Sequence, residues 1–325
     1  MSAGFIGIDK YSANSMTAQI EHNIVSFLDD GLLRIGAFGN VLASVSNLYG
    51  TNMSELRPVE NDSYSDYTLW QAPRKNWVYE NVTGVAYSPI AVSGITVSGV
   101  VGPATFYPGP TGNTTLGYTI NYEEGSVLFN REVNRSCEVT ASYSYKLFDV
   151  EVASKSQIWK SIQEDSFDPE HFKNPYYASG DFNIPSEHRV QLPTIVIESV
   201  NRSKNNPWRL GDHSLISDQK VLLHVIAENK SDRDKINDIL NRQATRTIDL
   251  YDLNKVVQSG TYLLNFDGSV NPSGLQYDEI LANSDYKWVE CRFKDITVSD
   301  MQFLGTDLYG STIQITNELI LLQNS

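Results

Sequence analysis

Two apolar runs, LPTIVIESV (Leu192–Val200) and DQKVLLHVIAEN (Asp218–Asn229), bracket a polar stretch, NRSKNNPWRLGDHSLIS, that no hydrophobic core could hold. Each run is short and rich in β-branched residues, which reads as a strand. The stretch between them is then either a hairpin arm or an extended loop carried by a sheet. Behind the second strand, Ser231 and Asp234 form an opening similar to a capping box, with Asp shorter than the usual Glu. The helix it predicts has Ile236, Ile239 and Leu240 on one face and lies on the sheet.

TIDLYDL, TYLLNF, YKWVECRFKDITV and STIQITNELILL supply further strands. In YKWVECRF, Tyr286, Trp288, Glu290 and Arg292 alternate with Lys287, Val289, Cys291 and Phe293, and either set could be the buried one. In the last run Ile313, Ile315, Leu319 and Leu321 mark one buried side. The fold class expected is α+β: a C-terminal, mostly antiparallel sheet with helices on one face, joined to a small all-β module.

That module comes from the preceding residues. TLWQAPRKNWVYENV, IAVSGITVSGVV, ATFYPG, YTINYEEGSVLF and CEVTASYSYKLF are short apolar or alternating stretches punctuated by Pro, Gly and Asn. Val139, Ala141, Tyr143 and Tyr145 alternate with Thr140, Ser142, Ser144 and Lys146, and Glu123-Glu124-Gly125 predicts a hairpin tip. Further upstream, Ile20, Ile24, Phe27 and Leu28 fall on one face of a 3.6-residue period, which predicts a helix from Thr17 to a stop at Gly31. LLRIGAFGNVLASVSNLYG is either strand or broken helix. Ile158 and Ile162, with Trp159, predict a short helix before the Pro- and aromatic-rich connector DPEHFKNPYYASGDFNIPSE. The divisions expected are an N-terminal arm and helix (1–60), an antiparallel β module (61–150), a helix and connector (151–190) and an α+β domain (191–325).

Charge narrows the function. With 25 basic and 39 acidic side chains the net charge is −14, which argues against gripping nucleic acid, because that affinity comes from Lys and Arg neutralising phosphates. The opening MSAGFIGIDKYSANSM lacks the basic region and apolar core of a signal peptide. No run approaches the ~18 apolar residues of a membrane span. Cys137 and Cys291 lie far apart without a partner motif and are read as reduced thiols of a chain made in a cytosol.

The chemical motifs searched for are missing: no phosphate-binding Gly-x-x-x-x-Gly-Lys-Ser/Thr, no Gly-x-Ser-x-Gly, no His-Glu-x-x-His and no Cys-x-x-Cys. No cofactor is expected. Asp165, Asp168, Glu170 and His171 place oxygen and nitrogen donors within one connector, but without the Gly turn and terminal Glu of a Ca²⁺ loop. Asp212-His213 has no nucleophile fixed nearby, and Asp249 and Asp252 flank Tyr251 at a strand end, where acids are common. Each is expected to be structural or solvated, and the chain is not expected to be an enzyme. Arg202, Lys204, Trp208 and Arg209 differ. They put positive charge and an aromatic on the long arm of an acidic chain, and Trp and Arg are favoured at protein–protein hot spots. They form either a subunit interface or an ordinary surface loop.

TLWQAPRKNWVYENV, INYEEGSVLFN, VTASYSYK, EHRVQLPTIVIESV, KVLLHVIAENKSDRDKINDIL and TIDLYDLN, spread from Leu69 to Leu322, together resemble structural proteins of tailed phages. The C-terminal order of strand, long arm, strand, helix and strands resembles that of tail-terminator proteins. The resemblance implies a virion protein of the phage neck. It would be a ring of six copies that ends tail tube or sheath polymerisation, docks on the head–tail connector, and lets DNA pass without specific binding and without a membrane. It brings no catalytic residues, and the β module is not part of a minimal terminator. The competing expectations are a tube, baseplate, collar or decoration protein, a glycan-binding adhesin using the Tyr- and Trp-rich module, and, last, a hydrolase.

Overall fold

The structure is a computed structural model that describes residues 13–43, 53–59, 64–65, 68–82, 87–99, 105–108, 116–165, 191–207, 215–301 and 308–321. It is a mixed α+β fold: a long C-terminal sheet flanked by helices, with a smaller N-terminal sheet beside it.

Helix α1 (Met16–Arg34) opens at Ser15, whose hydroxyl accepts from the Ala18 N–H. Ile20, Ile24, Phe27, Leu28, Leu32 and Leu33 form its buried stripe, each worth roughly 1.5–3 kcal/mol in apolar burial. The helix runs straight through Gly31 and stops near Gly36, whose φ of +82° no β-carbon-bearing residue adopts cheaply. The next segment then resolves as strand β1 (Phe38–Val41).

The smaller region holds β2 (Glu55–Pro58), β3 (Leu69–Gln71), β4 (Gly94–Ser98), β5 (Thr105–Pro108), β6 (Tyr118–Asn121), β7 (Ser126–Phe129), β8 (Glu138–Ala141) and β9 (Tyr143–Lys146). Seven of these form one sheet in the order β5-β4-β8-β2-β3-β7-β6, while β9 pairs with β1. The alternation across Val139, Ala141 and Tyr143 is real, all three being buried, but the run splits at Ser142 into two strands of different sheets. Gly125 closes the β6–β7 hairpin at φ +59°.

The remaining elements are β10 (Asp149–Val152), α2 (Gln157–Asp165), β11 (Thr194–Pro207), β12 (Leu215–Ala227), α3 (Lys230–Asn241), β13 (Thr247–Tyr251), α4 (Leu253–Ser259), α5 (Tyr277–Ala282), β14 (Lys287–Asp300) and β15 (Tyr309–Leu321). Their strands form one sheet, β10-β11-β12-β15-β14-β13, antiparallel except for the β10–β11 pair. On its first face Ile195, Ile197, Val221, Leu223, Val225, Cys291, Phe293, Ile313, Ile315 and Leu319 meet α1 and the Ile236 and Leu240 of α3. In YKWVECRF the buried set is therefore the one with Cys291 and Phe293.

Several expectations need correction. Helices lie on both faces, because α2 packs Ile158 and Trp159 on Val196 and Ile226 of the second face. α3 is capped by Asn229, whose side chain accepts from the Asp232 N–H; Ser231 and Asp234 already lie inside it. TYLLNF is not a strand. Leu264 makes only an isolated bridge to Val270, and Asn271 Nδ2 donates to the carbonyls of Gly260 and Tyr262 beside a few scattered backbone bonds, so no regular ladder forms there.

Candidate functional site

The arm is a continuation of the sheet. β11 and β12 remain paired from Thr194↔Ile226 to Pro207↔Leu215, with one irregularity between Val200 and Ser203, and β12 is paired with β15 along its whole length. Strands of 13 or 14 residues are at least twice the usual five or six. The first face stays buried out to Ser217 and Leu319, while Lys204, Asn205 and Pro207 at the end of β11 are exposed on the sheet's margin.

Arg202 and Lys204 both lie on β11 in its outer half, and Lys204 is exposed. Trp208 and Arg209 fall outside the described residues. The second face of the same region carries a shallow depression of about 730 Å³ lined by Lys204, Asp218, Lys220, Lys294, Gln314 and Thr316, among others. Lys294 Nζ sits 3.3 Å from Glu318 and 3.8 Å from Asp218, and these carboxylates push its pKa up. Sequence reasoning placed only Lys204 here; the others come from β12, β14 and β15 and meet only through strand register.

Nearer the base of the sheet the second face closes. His224 lies flat on Trp159, ring centroids 3.9 Å apart, with Nδ1 3.1 Å from the Thr312 hydroxyl and Nε2 3.0 Å from Glu198. Burial lowers the imidazole pKa against the pull of Glu198.

A second cluster, unforeseen in the sequence, lies where α1 meets the smaller region. Lys146 Nζ is 2.6 Å from both Asp29 Oδ2 and Glu80 Oε1, and 4.9 Å from the centre of the Tyr79 ring. Lys146 is 7% exposed, so this one cation serves two largely desolvated carboxylates. Burial pushes the Asp29 carboxyl up to about 7; Lys146 opposes the rise and Glu80 adds to it. Glu151, raised by burial and then by Asp149, also reaches about 7. Nearby, Asn23 fixes α1 to β13 of the larger sheet by exchanging two hydrogen bonds with the Tyr251 backbone (2.8 and 2.9 Å), and the Tyr122 N–H of the smaller region donates to the Gly268 carbonyl.

The raised carboxyls fix a pH dependence. Asp29 and Glu151 hold protons in the folded chain to about pH 7 but release them near 3.8 and 4.5 when unfolded, so the folded state binds more protons between those limits. The contribution of these two carboxyls to stability is therefore expected to fall as pH rises from about 4 to 7, by an amount on the order of a few kcal/mol. Burial lowers the imidazoles of His22 and His224, which act in the opposite sense in the acid part of that range, so the carboxyl part is read by difference. Urea unfolding of the wild type, Asp29→Asn and Glu151→Gln at pH 5 and pH 8 measures it, and an unchanged pH dependence in both variants would contradict the assignment.

Of the groups weighed for chemistry, only Asp249 and Asp252 are fully described. Asp249 pairs with Lys287 at 2.9 Å, and Asp252 caps α4 by accepting from the Asn254 N–H. Asp165 ends α2, whereas Asp168, Glu170, His171, Asp212 and His213 lie outside the described residues. Among the described residues no group of three or more His, Cys, Asp or Glu could hold a metal, and no helix is long and apolar enough to cross a membrane. Cys137 and Cys291 are free. Neither a protein-family model nor a curated protein sequence matches the chain.

Proposed function

We propose that the chain is a structural subunit of a tailed-phage neck, of the tail-terminator type. It would be a ring of six copies that ends tail tube or sheath growth and joins the tail to the head connector, without catalysis or cofactor. It is made in the host cytosol and resides in the virion. The observation that carries this reading is the run of long strands, β11, β12, β14 and β15, whose sheet leaves the end of β11 and the end of β14 as exposed, polar margins. Strand margins of this kind are placed for a neighbour to bind. Six copies carry 6 × −14 = −84 charges, and acid near a channel lets DNA slide past without sticking. The resemblance to tail terminators supplies the specific place.

The aromatics that suggested a glycan-binding module are largely spent on packing, since Trp70, Trp77, Tyr118, Phe129 and Tyr143 are all buried. A tube, baseplate, collar or decoration role shares the same architecture and is separated by how growth ends. Negative-stain microscopy of the purified protein, alone and with tail tubes, tests the proposal. Closed rings that seat on tube ends are expected. Open filaments would replace the terminator with a tube protein, and a monomer that ignores tubes would overturn the assembly role.

A further inference from the structure

The long sheet has two bare half-edges, on opposite sides and at opposite ends. At the level of Lys204, the register runs through Asp218, Glu318 and Arg292 to Thr247 of β13, so β14 is covered there and β11 is outermost. At the level of Val298 it runs through Ile313 and Leu223 to Ile197 and Val152 of β10, so here β11 is covered and β14 is outermost. Among the described residues, no backbone group bonds to the outer side of β14 from Asp295 to Asp300 or of β11 beyond Ser199, whose N–H donates to Glu21. Unpaired strand edges of this length are templates for another strand.

The two half-edges suit each other. β11 and β14 are three antiparallel steps apart, so they run in opposite directions, and a sheet continued from copy to copy pairs them antiparallel. From Val200 to Pro207 the β11 edge carries Arg202 and Lys204 and no acid, while the β14 edge carries the exposed Asp295 and Asp300, the second of them 3.2 Å from Arg233 of α3. Pairing β14 with itself would bring those acids together.

We propose that the half-edge of β14 in one copy binds the half-edge of β11 in the next, so that each subunit extends its neighbour's sheet. The contact is heterologous, the type that closes into rings or runs on as filaments. β10 and β13 act as stops that set the offset. The free segments are five residues apart along β12 (Asp218 to Leu223), so neighbours are displaced by ~17 Å along the strands. A closed ring then requires the strands to cross its circumference obliquely. The proposal rests on the ring reading for the copies' self-association, not for the position in the virion.

Proline, which lacks the N–H, tests it. Consecutive residues point their N–H groups to opposite sides of a strand, so one of Thr297→Pro and Val298→Pro blocks the β14 edge and the other breaks pairing to β15. Asn205→Pro and Asn206→Pro divide likewise between the β11 edge and β12. Circular dichroism and urea unfolding identify the folded member of each pair, and native mass spectrometry reads the assembly. Each folded variant alone is expected to be monomeric, whereas a mixture of the two forms a heterodimer through its one intact pair of edges. If the β11 variant assembles like wild type while the β14 variant does not, the contact is β14 with itself and the proposal fails. If a wild-type oligomer survives both variants, the contact lies elsewhere and only this proposal fails. A monomeric wild type whose amides at 295–300 resist hydrogen exchange overturns the ring reading as well, and gives the edge to the chain's own residues.

Discussion

Lys146→Met should cost about 3–5 kcal/mol of stability at pH 8, the penalty for leaving buried carboxylates without their cation. The methionine fills nearly the same volume, so packing changes little; what changes is that Asp29 and Glu80 face each other across a site with no positive charge. The loss should shrink at pH 5. With the lysine gone the Asp29 carboxyl climbs further, and a proton then takes over part of the lysine's work. The triple variant Lys146→Met, Asp29→Asn, Glu80→Gln removes the charges together and should recover most of the loss, since a neutral replacement of a buried ion cluster is often no less stable. Urea unfolding followed by tryptophan fluorescence at the two pH values gives all four numbers. A loss below about 1 kcal/mol at pH 8 would mean that water reaches the cluster and screens it.

That cluster also marks how far sequence reasoning reaches. Strand β15 could be read because Ile313, Ile315 and Leu319 repeat at the two-residue period of a half-buried strand, and they are the residues buried. The body of α1 could be read for the same reason at a period of 3.6. Its end could not: a β-carbon at Gly31 would have nothing within 4 Å, so that glycine is an ordinary helical residue and the turn is made five residues later. β10 has four residues and pairs in parallel with β11 across an intervening helix, which leaves no alternation to detect. The ion cluster joins residues 117 and 66 positions apart, and in sequence Lys146 is only the polar member of an alternating strand. Of the arm residues, Lys204 could be picked out by its charge in an acidic chain. Lys220, Lys294, Asp218 and Glu318 needed the register.

Trp77→Ala is expected to cost about 3–5 kcal/mol, and the loss should be local to the smaller region. Trp77 is fully buried, stacks on Tyr143 at 4.3 Å with the planes 17° apart, meets the edge of Tyr122 at 6.4 Å, and donates its indole N–H to the Arg74 carbonyl at 2.9 Å. Its own backbone N–H bonds to the Tyr122 carbonyl, and it bridges to Tyr145, so one side chain joins the β6–β7 hairpin to β9. Lys146 follows Tyr145 directly, and Tyr122 is the residue bonded to Gly268 of the larger region. Emptying the site thus loosens two of the attachments between the regions, while the cluster of Ile195, Leu223, Ile313 and Phe293 keeps its packing. Hydrogen exchange should show lost protection at residues 126–129 and 143–146 with β12 and β15 unchanged. Trp77→Phe separates volume from bonding: it keeps most of the stacking and leaves the Arg74 carbonyl without its donor, for a loss of about 1–2 kcal/mol. If β12 and β15 lose protection together with the smaller region, the two fold as a single unit, and the junction is a part of one core.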